Sequence, residues 1–132
     1  MSITSGCGSS RASACLTTGA NSLSVLLGNG NGTFRKQPPF ALHATGVGLN
    51  MADVDADGKL DILYTTSSTV GVMLGNGDGT FAARATFAGG SNVNSVEAGD
   101  FDGDGKLDLV VTNRLSSSVS VLIGNGNGTF KA

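Results

Sequence analysis

The sequence lacks the residue groups on which most enzyme active sites depend. Its 132 residues include one histidine, two cysteines, one tyrosine and no tryptophan. His43 has no Cys or Ser partner near it in sequence, which favours a plain surface or packing role. Cys7 and Cys15 lack metal or redox spacing and could form a local disulfide or remain two thiols. With no Ser/His/Asp group and no zinc ligand set, we predict that the chain is not an enzyme.

Positive charge is also sparse. Eight Lys and Arg residues stand against ten Asp and Glu, for a net charge of −2, and only Arg35 and Lys36 are adjacent. A nucleic-acid surface normally needs a basic stripe, so we expect no nucleic-acid partner. No apolar run approaches the ~20 residues of a spanning helix. Residues 1–16 lack the basic and apolar regions of a signal peptide. We therefore expect no membrane segment and no signal peptide in this chain.

Acidic residues, in contrast, are concentrated in two stretches. DVDADGKLD (53–61) and DFDGDGKLD (100–108) together hold eight of the ten acidic residues. Like charges repel by roughly 4 kcal/mol per pair at ~4 Å and an effective dielectric near ~20. Such crowding predicts a cation at each stretch.

The two stretches belong to a longer internal repeat. LLGNGNGTF (26–34), MLGNGDGTF (73–81) and LIGNGNGTF (122–130) recur at intervals of 47 and 49 residues. Runs rich in Val, Ile, Leu and Thr around these motifs predict four short antiparallel strands per repeat, and no window shows a helical apolar period. Four strands in ~47 residues is the size of one propeller blade. The sequence therefore predicts an all-β protein of just under three β-propeller blades.

The phase of the repeat predicts where each blade lies. The residues 47 positions before the four acids of loop 53–61 are Gly6, Gly8, Ser10 and Ala14. No acidic residue occurs in residues 1–20. The first blade is therefore expected to hold no ion. The predicted divisions are an atypical N-terminal segment (1–14), a degenerate first blade (15–46), a second blade (47–93) and a third blade with a truncated last strand (94–132).

The glycine-rich motifs have two interpretations. GNGNG resembles a phosphate-cradling loop, but such loops lead into a helix, whereas here TF opens another strand. Asn-Gly and Asp-Gly supply the positive φ of tight hairpins, which favours a turn. Asn31 and Asn127 also match the glycosylation sequon, yet Asp78 takes their place in the middle repeat. Turn geometry is the simpler common cause.

Each acidic stretch carries the donors of a calcium site. Calcium takes about six to eight oxygens from carboxylates, backbone carbonyls and water. Acids at positions one, three and five surround a tight loop, a glycine at position six permits the turn, position seven offers a carbonyl and the acid at position nine closes the shell. The predicted ligands are Asp53, Asp55, Asp57, Lys59 (carbonyl) and Asp61, and Asp100, Asp102, Asp104, Lys106 (carbonyl) and Asp108.

Other interpretations of these loops are less favoured. An EF-hand needs a glutamate at position twelve and flanking helices, but position twelve is Tyr64 or Val111. Magnesium demands stricter octahedral geometry. Paired carboxylates serve acid–base catalysis in glycosidases, but this spacing suits ion coordination better. Solvated turns without an ion are the remaining alternative. We predict two calcium ions per chain.

Taken together, the motifs resemble the FG-GAP/VCBS repeats of integrin-alpha-type β-propellers. The pattern D-x-D-x-D-G-x-x-D followed by VSVLIGNGNGTF carries the resemblance, which covers roughly residues 16–130. It implies that the acidic loop joins the first two strands of a blade and holds calcium. It also implies an extracellular or cell-surface location and ligand surfaces between blades or on loops. The candidate ligand loops are 43–48, 65–69, 88–95 and 113–118.

An arc of three blades also bears on partners. Propellers close with about four to eight blades, and an open arc exposes two blade faces and unpaired strand edges. Two copies supply about six blades, so we predict a homodimer that forms one ring. The predicted function is a calcium-binding, non-catalytic scaffold or binding module. The alternative is a lectin-like or adhesion propeller whose ligand is a glycan or an extracellular protein.

Overall fold

The computed structural model describes residues 3–5, 14–19, 21–29, 31–42 and 48–131, with side chains from residue 21 onward. These ranges contain β-strands, turns and bends and no helix, so none of them offers a helix that could span a membrane. The all-β prediction is confirmed. Cys7, His43, the ion-free loop expected near Gly6–Ser10 and most of loop 43–48 lie outside the described residues, as does the side chain of Cys15.

The strands form three antiparallel sheets that follow one another along the chain. The first sheet contains β1 (Ile3–Ser5), β2 (Ala14–Gly19), β3 (Ser22–Gly28), β4 (Phe34–Lys36) and β5 (Phe40–Ala41). The second contains β6 (Leu49–Ala52), β7 (Asp61–Thr65), β8 (Thr69–Met73) and β9 (Ala85–Ala88). The third contains β10 (Val93–Gly99), β11 (Asp108–Asn113), β12 (Ser118–Gly124) and β13 (Phe130–Lys131). Each sheet has the sequential strand order of a propeller blade.

The strand register reproduces the sequence repeat. The glycine-rich hairpins close on the same cross-strand pair in all three sheets: Gly28 with Phe34, Gly75 with Phe81, and Gly124 with Phe130. In the first sheet the last strand is split, because β4 and β5 both pair with β3. Pro38 and Pro39 lie in the break between them, where residues that cannot donate a ladder hydrogen bond are tolerated.

The second sheet is packed on both faces. All five residues of β7 are buried, and its alternate side chains point to opposite neighbours because successive residues of a strand face opposite ways. Ile62 and Tyr64 pack with Leu23 and Val25 of the first sheet. The cluster with the third sheet includes Val54, Leu63, Val70 and Val72 from the second sheet, and Val93, Val96, Leu109, Val111, Leu122 and Phe130 from the third.

A pair of phenylalanine rings marks each junction between sheets. Phe40 meets Phe81 edge to face at a centroid distance of 5.6 Å, and Phe87 meets Phe130 in the same way at 5.5 Å. Such pairs contribute about 0.5–1.5 kcal/mol beyond their burial. The second sheet therefore packs on the first, and the third on the second, in the same way. In each case the last strand of one sheet contacts the glycine-rich hairpin of the next.

Candidate metal centre

The two acidic stretches are surface loops between the first and second strands of a sheet. Acidic loop A (residues 53–61) follows β6 and ends on the first residue of β7, and acidic loop B (residues 100–108) joins β10 to β11 in the same way. This is the strand placement that the family resemblance implies. The residues at position twelve, Tyr64 and Val111, lie within strands, unlike those of an EF-hand.

The first carboxylate of each loop organises the loop backbone. Asp53 accepts hydrogen bonds from the amides of Asp57 and Gly58, at 3.1 and 2.8 Å. Asp100 accepts three, from the amides of Gly103, Asp104 and Gly105, at 2.7, 3.2 and 2.9 Å. The glycine at position six has a φ of 83° in both loops, in the left-handed region that favours glycine. The chain thus winds around its first aspartate, as the pattern predicts.

The third and fifth carboxylates remain at the loop surface. Asp55 accepts one hydrogen bond, from the Asp57 amide at 3.2 Å, and Asp57 accepts one from the Lys59 amide at 2.9 Å. The Lys59 ammonium pairs with the Asp57 carboxylate at 3.3 Å, and Lys106 pairs with Asp104 at 3.7 Å. Surface ion pairs of this kind contribute little to stability. Their side chains stay free to rearrange around an ion.

The ninth carboxylate lies at the base of the loop. Asp61 is 0% exposed, and its two oxygens accept from the amides of Val54 and Gly75, both at 2.8 Å. Asp108 is equally buried and accepts from the amides of Phe101 and Gly124, again at 2.8 Å. Hydrogen bonds to a charged acceptor are about twice as strong as neutral ones. Each of these aspartates fastens its acidic loop to the glycine-rich hairpin.

The hairpin glycine that receives this contact has a steric reason to be glycine. A Cβ atom on Gly75 would lie 2.1 Å from the Leu60 carbonyl oxygen, and one on Gly124 would lie 1.9 Å from that of Leu107. These motifs were predicted to form turns only, and the contact was not expected. The one available signal is that a glycine-rich motif follows each acidic loop, with Gly75 14 residues after Asp61 and Gly124 16 residues after Asp108. The predicted positive φ is found further along each motif, at Gly77 and Gly126 among others.

Three carboxylates converge in each loop. The oxygens of Asp53, Asp55 and Asp57 lie within 4.8 Å of one another in loop A, and so do those of Asp100, Asp102 and Asp108 in loop B. Oxygens that share one calcium at ~2.3–2.6 Å are at most ~5 Å apart. The all-oxygen donor sets fit calcium, with further positions for carbonyl and water. Asp61 and Asp104 were also predicted as ligands. Asp61 fastens loop A to its hairpin, and we call this contact of the ninth residue the clamp. Asp104 forms the surface ion pair with Lys106.

Burial and mutual repulsion together oppose ionisation of several carboxyl groups in the two loops. Desolvation, followed by the nearby charges of Asp61 and Asp57, raises the pKa of Asp55. Burial raises the pKa of Asp61 despite its two amide donors. The amide of Asp104 lowers the pKa of Asp102, but desolvation and two neighbouring carboxylates outweigh it, so that this pKa is raised overall. A bound cation would offset this repulsion.

Other carboxyl groups of the loops shift the opposite way. The Lys59 amide lowers the pKa of Asp57, and the Gly105 amide lowers the pKa of Asp100. Each loop therefore combines groups that its backbone holds ionised with groups whose ionisation is opposed. Such a mixture is expected where several carboxylates share one small volume.

Comparison with known families identifies these repeats. Residues 13–64 and 53–111 each match the FG-GAP-like repeat family, and the two matches together span residues 13–111 of the 132. The chain belongs to the FG-GAP-like repeat family. The family expected from the sequence is thus confirmed, and it is a non-enzymatic repeat type found in β-propeller-like binding modules. A search of curated proteins gave no significant match.

The matches end at residues 64 and 111, which are 47 residues apart, the same interval as the two acidic loops.

Proposed function

We propose that this FG-GAP chain is a non-catalytic binding module whose second and third blades are each stabilised by one calcium ion. The observation that carries the proposal is the convergence of three carboxylates in each acidic loop, on a backbone already wound by hydrogen bonds. Asp53, Asp55 and Asp57 would hold one ion, and Asp100, Asp102 and Asp108 the other, with the Lys59 and Lys106 carbonyls in support.

The position of the loops explains how an ion would act on the fold. Each loop is continuous with the second strand of its sheet and is fastened by its ninth residue to the hairpin that closes the third and fourth strands. Neutralising the carboxylates therefore stabilises a point where three parts of the blade meet. An ion that binds only the folded chain, at 100 times its dissociation constant, adds about 2.7 kcal/mol per site. We further propose an extracellular setting, where sites with dissociation constants of ~10⁻⁴–10⁻³ M are useful.

Isothermal titration calorimetry with calcium tests the proposal. The wild-type chain should bind two ions, and Asp55→Asn and Asp102→Asn should each weaken one of the two sites, because the asparagine amide keeps an oxygen ligand but removes a negative charge. Asparagine keeps the single hydrogen-bond acceptor that these side chains use, so the loop backbone should be retained. Asp78→Asn is the matched control, because Asp78 lies in a hairpin where the other two repeats already carry asparagine. It should bind two ions. Absence of calcium-dependent heat in the wild type would contradict the proposal.

Ligand recognition through the surface between blades is the second candidate function. A cavity of about 410 Å³ between the first and second sheets is lined by the charged residues Arg35, Lys59 and Asp78 beside Phe81 and Met51. Another borders Arg114 and Ser117 in the predicted ligand loop 113–118. Tyr64 is buried and provides no stacking surface for a sugar. A glycan array and a pull-down of extracellular proteins test this alternative. Absence of binding in both experiments would contradict it.

A further inference from the structure

The face of the third sheet that points away from the second is apolar and open. We use the term leading face for the side of a sheet that packs on the next sheet in the chain. In the second sheet the leading face presents Val54, Val70 and Val72, all buried against the third sheet. The equivalent residues of the third sheet follow 47 or 49 positions later. They are Phe101, Val119 and Val121, with exposures of 55%, 62% and 42%.

The opposite face of the first sheet also exposes a large apolar side chain. We use the term trailing face for the side of a sheet that packs on the preceding sheet. Phe81 and Phe130 lie on trailing faces and contact the rings of Phe40 and Phe87. Phe34 is their equivalent in the first sheet, because it pairs with Gly28 as they pair with Gly75 and Gly124. Phe34 is 41% exposed.

Exposure of large apolar side chains is concentrated on these two faces. Among the described side chains, six large hydrophobic residues are exposed, and four of them are Phe34, Phe101, Val119 and Val121. The other two are Leu60, at the cavity between the first two sheets, and Leu115, in the turn before β12. The third sheet thus repeats the leading-face positions of Val54, Val70 and Val72, and the first sheet repeats the trailing-face position of Phe81 and Phe130.

We propose that the leading face of the third blade docks the trailing face of the first blade of a second copy, head to tail. This inference rests on the proposed function only in requiring folded FG-GAP blades. A second copy is favoured as occupant because the same positions already form a contact within the chain, where Val70, Val72 and Phe130 belong to one buried cluster. Head-to-tail contacts form a ring when their rotation closes. Two copies would close a ring of about six blades, which is within the range of propellers.

Sedimentation velocity of the full chain in calcium tests the docking. The expected result is a concentration-dependent shift from 13.1 kDa to twice that mass. Val121→Asp and Phe34→Asp should each weaken association at least about thirtyfold, the size of a hot-spot loss. Both residues are exposed in the single chain, so the melting temperature of the separated monomers should hardly change. Leu115→Asp is the matched control, because Leu115 is 76% exposed but lies outside both faces. It should associate as the wild type does.

The pattern across variants distinguishes head-to-tail pairing from other arrangements. A mixture of Val121→Asp and Phe34→Asp chains should recover part of the association, because one of the two contacts in the mixed pair then carries neither substitution. If Val121→Asp abolishes the dimer while Phe34→Asp leaves it intact, the third blades pair with each other and the proposal is overturned. A wild-type monomer at ~100 µM, or a ladder of growing masses, would also overturn it.

Calcium binding and docking can fail separately. Calorimetry on the Val121→Asp monomer should still give two calcium ions per chain. If the wild type dimerises but binds no calcium, the metal proposal fails and docking stands. If it binds calcium but remains monomeric, docking fails and the metal proposal stands.

Discussion

Acidic loops A and B have nearly the same sequence and nearly the same hydrogen bonds, but they lie in different surroundings. At position two, Val54 of loop A is buried against the third sheet, whereas Phe101 of loop B faces solvent. At position four, loop A places Ala56 at a φ of 62° and loop B places Gly103 at 79°. The acids and the glycine at position six therefore set the loop conformation, while position two varies with packing and position four holds either alanine or glycine at positive φ.

The two loops also differ in which carboxylates converge. Positions one, three and five cluster in loop A, and positions one, three and nine cluster in loop B. Positions one and three are common to both clusters. The carboxylates at these two positions thus have the same place in both loops, whereas membership of the cluster at positions five and nine depends on the individual loop.

Removal of calcium should give the largest effect. With both sites filled at 100 times their dissociation constants, a chelator should lower the free energy of unfolding by about 5 kcal/mol. Asp55→Asn and Asp102→Asn should each lose part of this calcium-dependent increment, up to about half, because each weakens one site. Urea unfolding with and without chelator measures it. Unequal losses would show that the loops do not contribute alike, and identical curves with and without chelator would argue against any structural ion.

The clamp at position nine should give the next largest effect. Asp61→Ala and Asp108→Ala should each lower the free energy of unfolding in chelator by about 3 kcal/mol, since each leaves two buried amides without acceptors. Asp78→Ala, outside both loops, serves as the control for loss of a single carboxylate. If Asp61→Ala and Asp108→Ala differ by more than about 1 kcal/mol, the clamp is not a shared feature of the blades.

Exchanging the residues at position four should give a smaller effect of opposite sign in the two loops. Gly103→Ala should destabilise the chain by about 1 kcal/mol, because alanine is strained at positive φ although its Cβ would meet nothing within 4 Å. Ala56→Gly should stabilise it by about 0.5 kcal/mol, as relief of strain exceeds the entropy cost of glycine. Thermal melts of the pair provide the measurement. A shift of the same sign in both variants would contradict the backbone explanation.

Charge at position three should give the smallest effect, and the size of that effect depends on pH. The pKa values of Asp55 and Asp102 are raised in the folded chain. Their contribution to stability is therefore present at low pH and lost as pH rises through those values. In chelator at pH 7, Asp55→Asn and Asp102→Asn should melt slightly above the wild type, and the difference should vanish toward pH 3. Asp57→Asn, whose parent group has a lowered pKa, should not show this gain.

Much of this fold is predictable because each structural repeat coincides with a repeat in the sequence. The alternating apolar residues and the Asn-Gly turns determine the strands and hairpins, and the spacing of the acids determines the loops between first and second strands. The clamp between Asp61 and Gly75 was not predicted, because it depends on how a loop packs on a hairpin 14 residues away. Which side chains form the open face, Val119 and Val121 among them, was likewise not predicted, since similar strands are buried or open according to whether a neighbouring sheet packs on them.

A crystal structure of the chain grown with calcium tests the central claim most directly. The account predicts one strong density peak in each acidic loop, ~2.3–2.6 Å from carboxylate oxygens that include positions one and three. Well-ordered loops that hold only water at both places would contradict it.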